Sequence, residues 1–163
     1  MRVAAESGLR VAERWTERPG SQEMVRALGS VNGADIVNLR SPVDAESRRV
    51  LFRVSSAVLA NSGHEPFGMV GLEAMAAGGI ACTGCSGEDY VVPGHNALVL
   101  ETDDPREFVG LMRELRSDPQ RERSIRRSAQ ATARQYAWSR IISRIFLPRL
   151  RTLRFAGPTP VLA

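Results

Sequence analysis

Between residues 35 and 104, short apolar runs alternate with helical patterns, and this alternation limits the possible folds more than any other feature. Asp35-Ile36-Val37-Asn38-Leu39, Ala57-Val58-Leu59-Ala60-Asn61, Ile80-Ala81-Cys82-Thr83 and Ala97-Leu98-Val99-Leu100 read as strands. Asp44 caps a helix with Val50, Leu51 and Val54 on one face. A second helix, residues 69–77, stops at Gly78-Gly79. Asp104-Pro105-Arg106-Glu107 opens a third, with an acidic cap, Pro at the first position and Glu at the third. Its apolar face is Phe108, Val109, Leu111, Met112 and Leu115, and Asp118-Pro119-Gln120 opens the next helix. Strands alternating with helices imply an α/β fold, a Rossmann-like parallel sheet with helices on its faces. Such sheets bind ligands at the carboxyl ends of their strands, so the loops after Asn61 and Thr83 are the informative ones.

The flanks are less regular. Residues 1–20 are polar, with weak helical spacing of Val3, Leu9, Val11 and Trp15 that Arg18-Pro19-Gly20 breaks. A short helix at 22–28 ends at Gly29. After Trp138 a helix carries Ile141, Ile142, Ile145 and Phe146, and Pro148 interrupts it. The expected organisation is an irregular or helical segment 1–34, an α/β domain 35–137, a C-terminal helix 138–155 and a frayed tail 156–163.

Hydrophobic residues make up 43%, enough for a core, and no apolar run approaches the roughly 18–20 residues that cross a bilayer. The start of the chain has no signal-peptide pattern, so a cytoplasmic protein is expected. All 22 basic residues are arginine. Arginine suits phosphate and nucleic acid, but it also follows from genome base composition. Acidic residues accompany the arginines through most of the chain and aromatics do not interleave with them, so no nucleic-acid partner is expected. Arg140, Arg144, Arg149, Arg151 and Arg154 are the exception, with no acid among them. That basic amphipathic stretch has three possible fates: folding onto its own domain, meeting a partner chain, or lying peripherally on an anionic membrane. Cys82 and Cys85 form a C-x-x-C, but no other cysteine exists and His64 and His95 are far apart in sequence. No zinc set is expected, and two free thiols fit a reducing compartment.

The segment Glu65-Pro66-Phe67-Gly68-Met69-Val70-Gly71-Leu72-Glu73-Ala74-Met75-Ala76-Ala77-Gly78 is a loop feeding a helix. The N–H groups of a first helical turn lack intrahelical partners, and the helix dipole is positive there, which favours an anion. Gly68 and Gly71 let a ligand or a neighbouring backbone come close. Glu65 is placed to accept hydrogen bonds from a sugar and Glu73 from a ribose diol. Taken alone, two glutamates at this spacing are better explained by helix stabilisation and solvation.

The wider pattern tips that balance. E-P-F-G-x-x-x-L-E-A-M-A-x-G resembles the donor site of family 4 retaining glycosyltransferases of the GT-B fold, and the chain is identified as resembling their C-terminal half. The resemblance continues upstream in Asn61-Ser62 and downstream in the turn Val91 to Ala97, the Asp-Pro helix start and a Trp-containing C-terminal helix, covering roughly 35–145. It implies that Glu65 meets the transferred hexose as the catalytic glutamate. It also implies that the N–H groups of Phe67, Gly68 and Met69 meet sugar and diphosphate, that Leu72 lies near the phosphates and that Glu73 holds the ribose. Gly84 to Gly87 would line the donor loop. The resemblance implies a nucleotide-sugar as donor, with neither cofactor nor metal.

Two departures accompany the resemblance. Where relatives carry Gly-Gly-x-x-Glu, this chain has Ser86-Gly87-Glu88-Asp89-Tyr90, with Tyr90 at the Glu position. Residues 1–34 lack the Gly-Arg and Lys-Gly turns of the family, no lysine exists among the 163 residues, and the acceptor-binding domain that the family carries ahead of its donor half is expected to be missing. The expectation is a donor domain without transfer activity of its own, dependent on an acceptor-domain partner. The alternative is a non-catalytic nucleotide- or sugar-binding module on the same scaffold.

Overall fold

The computed structural model describes residues 4, 6–15, 21–61, 67–84 and 89–155. They group into two compact units, residues 1–51 and residues 52–163.

In the first unit β1 (Val11–Arg14) pairs in parallel with β2 (Ile36–Leu39), Val11 opposite Ile36 and Arg14 opposite Leu39. Helix α1 (Ser21–Gly29) makes the crossover. The strand at 11–14 corrects the helical spacing read there. Four residues are too few to set a period. What holds them extended lies 25 residues away, where Arg10 donates to Asp35 at 2.9 and 3.2 Å and Asn38 donates to Glu13 at 3.1 Å. The Arg10 guanidinium holds the Asp35 carboxyl below the ordinary range.

Helix α2 (Ala45–Val54) starts where Asp44 accepts from the Ser47 N–H at 2.8 Å and the Ser47 hydroxyl at 3.0 Å. Those two bonds turn Ser47 inward. Of the apolar face read for this helix, Val50 and Val54 are exposed and Leu51 is half-buried. Phe52, also half-buried, packs against the core of the second unit.

The second unit holds a parallel sheet of β3 (Val58–Ala60), β4 (Ala81–Thr83) and β5 (Leu98–Val99), with β4 central. Helix α3 (Met69–Ala77) joins β3 to β4. It ends on a left-handed Gly78, φ 83°, with the Gly79 N–H closing on the Ala74 carbonyl at 2.9 Å. Helices α4 (Pro105–Ser117) and α5 (Pro119–Ala133) open on their aspartates: Asp104 accepts from the Arg106 N–H at 2.9 Å, and Asp118 from those of Gln120 and Arg121 at 3.0 and 2.9 Å. Glu107 does not reach back to close a capping box. Its carboxylate accepts from the Glu101 and Thr102 N–H groups at 2.8 and 2.9 Å, which holds it below its ordinary value and ties β5 to α4.

The core lies on both faces of this sheet. Ala74, Met75, Ala81 and Ala129 pack on one side, and Ile80, Cys82, Leu98, Leu115 and Ile125 on the other. The fold is therefore mixed α/β, with parallel sheets flanked by helices. Burial, with help from the Glu107 carboxylate, pushes the Cys82 thiol up to about 11. Cys82 should resist thiol reagents in the native chain and react only on unfolding. Labelling a Cys85→Ser background in buffer and in denaturant measures this. Labelling at equal rates in both would contradict the burial.

A 3₁₀ turn (Arg134–Tyr136) leads to α6 (Trp138–Ile141), a π-helical turn (Ile142–Phe146) and α7 (Leu147–Phe155). Pro148 does not interrupt this segment. It sits in the first turn of α7, directly after the wider π turn, which makes room for its ring against the carbonyl of residue 144. Trp138, Ile142, Ile145, Phe146, Leu150 and Leu153 are all exposed. Among the described residues no helix is long and apolar enough to cross a membrane.

Candidate functional site

The expected site converges on α3. Gly68 precedes it in the left-handed conformation, φ 66° and ψ 58°, and Met69 begins the right-handed helix. A left-handed residue followed by right-handed ones turns successive N–H groups toward one concavity, an anion-binding arrangement. The N-cap residue here is a glycine, which has no side chain to cap with, and the first turn has no acidic residue, whereas Asp44, Asp104 and Asp118 cap the helices they precede. Gly68 is buried, Phe67 half-buried, and Met69 and Val70 are exposed.

One turn further on, Leu72 and Glu73 line an open cavity of about 370 Å³ with Ala76, Gln130, Ala133, Arg134, Tyr136 and Ala137. Two expected site residues thus share one cavity. Its far wall comes from the end of α5 and the 3₁₀ turn, about 60 residues along the chain. Gln130, Arg134 and Tyr136 were not anticipated. The nearest local signal for them is the aromatic pair around Ala137, Tyr136 and Trp138. Gly84 follows β4, and a Cβ added there would run into the Asn61 side-chain oxygen, so it joins the ends of β3 and β4. Glu65 and Gly87 lie outside the described residues, as do His64 and Cys85.

Beneath the start of α3, Tyr90 meets Phe67 and Tyr136 edge to face at ring-centroid distances of 5.6 and 5.8 Å, and Phe67 and Tyr136 meet in a tilted pair at 5.7 Å. Tyr90 is 3% exposed and its hydroxyl donates to the Gly68 carbonyl. The loop carrying Tyr90 is held by buried Asn96, whose amide donates to the Tyr90 carbonyl at 2.8 Å and to Thr132 at 3.0 Å while accepting from the Val92 N–H at 2.7 Å. The turn Val91 to Ala97 is thus built on a saturated asparagine. Gly71 faces inward, toward Tyr90 and Thr83 rather than toward solvent.

This arrangement offers N–H groups for an anion beside a carboxylate-lined cavity. Residues 12–132 match the family model described as glycosyl transferases group 1. The chain belongs to that family. The match begins in β1, earlier than the resemblance read from the motifs alone. Relatives of this group 1 chain include the D-inositol 3-phosphate glycosyltransferase of Streptomyces avermitilis, 30% identical over 121 residues, covering 73% of this chain and 25% of the relative. The protein of the same name from Thermobispora bispora is 28% identical over 114 residues, covering 69% and 27%. The chain spans about a quarter of the length of these curated relatives. Among solved structures, Anabaena HepE in complex with UDP superposes with a TM-score of 0.61 at 23% identity, covering 80% of this chain and 35% of that one. Sucrose-phosphate synthase of Thermosynechococcus elongatus gives 0.65 at 17%, covering 95% and 49%. These likenesses are of fold, and the fold is that of GT-B glycosyltransferases.

Proposed function

We propose that this chain is the donor-binding part of a retaining, metal-independent glycosyltransferase that moves a hexose from a nucleotide-sugar. The left-handed, glycine-capped start of α3, one turn from the Glu73 cavity, carries the reading. The diphosphate would take the N–H groups of Gly68 and Met69, with Leu72 alongside. Glu73 would accept from the ribose hydroxyls, and the rest of the nucleoside would lie toward Tyr136. Glu65 would contact the hexose, and Gly84 and Gly87 would border the donor loop. That HepE and its glucose complex were solved with UDP supports a nucleoside diphosphate as ligand. We assign the charge of the diphosphate to the helix start.

Transfer is proposed for the assembly that includes an acceptor-binding half. The exposed apolar side chains of 138–155 are the surface we assign to that half.

Isothermal titration with UDP, GDP and ADP, in chelator, tests the reading. One of them is expected to bind, and Glu73→Ala to weaken it roughly tenfold or more, since a carboxylate accepting from two hydroxyls makes charge-assisted bonds. If none binds at millimolar concentration, or Glu73→Ala leaves affinity unchanged, the assignment is wrong.

A further inference from the structure

We propose that Tyr90 is a positioning residue for the diphosphate, acting through its hydroxyl on the Gly68 peptide. This rests on the reading of the α3 start given above.

The peptide unit is planar and trans, so its C=O and N–H point in opposite directions. Gly68 O and the Met69 N–H belong to one such unit. Gly68 is left-handed, a conformation in which nothing about the glycine itself fixes that plane. Tyr90 supplies the constraint. Its hydroxyl holds the Gly68 oxygen from the protein side, which aims the Met69 N–H the other way, away from the buried phenol at an exposed residue.

Tyr90 cannot drift. Phe67 and Tyr136 flank its ring, and Asn96 holds its carbonyl. Its hydroxyl has room only because residue 71 is glycine. A Cβ there would stand 2.8 Å from the phenol oxygen and 3.3 Å from Thr83 Cγ2. Gly71 therefore serves Tyr90 and not the ligand directly. Tyr136 belongs both to this aromatic trio and to the wall of the Glu73 cavity, so one cluster supports the nucleoside pocket and the anion turn together.

The test is an NMR titration of the full 163-residue chain. It uses whichever of UDP, GDP and ADP binds most tightly, and the matching nucleoside. The readouts are the two affinities and the amide shifts of residues 68–70, with thermal unfolding in parallel. Tyr90→Phe keeps the ring and removes the hydroxyl. It is expected to weaken the diphosphate roughly three- to tenfold, leave the nucleoside unchanged and shrink the shift of the Met69 amide. Gly71→Ala, which crowds the phenol, is expected to lower the same preference for diphosphate over nucleoside. A purely structural role would instead lower the unfolding temperature and weaken both ligands alike, and that result overturns the proposal. So does a preference that neither variant changes while the wild type binds diphosphate better than nucleoside. If the wild type shows no such preference, the diphosphate reading itself fails, and the role of Tyr90 falls with it.

Discussion

Replacing Gly79 by alanine is expected to destabilise the second unit by about 3 kcal/mol or more. Gly79 is buried and its φ is not left-handed, so the objection to a side chain there is one of space alone. An added Cβ would fall inside the contact distance of the Phe52 carbonyl oxygen, with the Phe52 carbonyl carbon at 3.1 Å and the Ala74 oxygen at 3.2 Å. All three are backbone atoms. None can swing aside as a side chain would, so relief requires moving α2 away from α3. At about 2–4 °C per kcal/mol, the melting temperature should fall by roughly 10 °C. Gly110 gives the internal control. It sits within α4 with nothing within 4 Å of an added Cβ, and Gly110→Ala should raise stability by about 0.5–1 kcal/mol. Denaturant unfolding of both variants decides the matter. Equal stabilities would mean that α2 and α3 are not pressed together at this point.

That crowding explains a local oddity of the sequence. The helix stop needs one glycine, and this chain has two. Gly78 is the conformational one, left-handed at φ 83°. Gly79 is the steric one. Only the first could be argued from the sequence, because the second depends on an element 27 residues upstream.

The same division runs through the molecule. Features with a local cause were legible. Helix α3 lies where residues 69–77 predicted it, and Asp104 and Asp118 cap as their Asp-Pro steps implied. The strands of the second unit fall inside their apolar runs. Features with a distant cause were not. Strand β1 is extended because of partners at Asp35 and Asn38. Glu107 turns to two N–H groups before its helix rather than to its own cap. Pro148 is accommodated by a π turn that no composition announces. Within the candidate site, Gly68 and Glu73 were read from the motif, but the motif says nothing of Gln130, Arg134 and Tyr136, which α5 and its following turn bring to the cavity lined by Leu72 and Glu73. Gly71 was read as room for a ligand or a neighbouring backbone, and the room is taken by the Tyr90 hydroxyl.

Helix α3 is fastened at both ends by side chains from elsewhere, and the two fastenings should separate experimentally. At its C-terminal end the agent is Arg126 of α5. Its Nε donates to Glu122 at 2.9 Å. Its two terminal nitrogens donate to the carbonyls of Gly78 at 2.9 Å, Ser55 at 3.0 Å and Arg53 at 3.3 Å. One guanidinium thus closes the ends of α2 and α3, where unpaired carbonyls and the negative end of the helix dipole favour a cation. Arg126→Met keeps the aliphatic stem and strands those acceptors. Water reaches part of the site, since the Arg126 side chain is 22% exposed, so the loss is discounted to about 2–3 kcal/mol. Arg126→Lys should recover little of it, because a single ammonium cannot span three carbonyls in a plane. The N-terminal end of α3, where the diphosphate is proposed to bind, lies roughly 13 Å away along the helix. Folded Arg126→Met protein should therefore bind nucleoside diphosphate with nearly unchanged affinity while unfolding earlier, the reverse of the pattern expected for Tyr90→Phe. Measuring unfolding and nucleotide affinity on both variants completes the comparison. A large loss of affinity in Arg126→Met at temperatures where it is still folded would show that the two ends of α3 do not act independently.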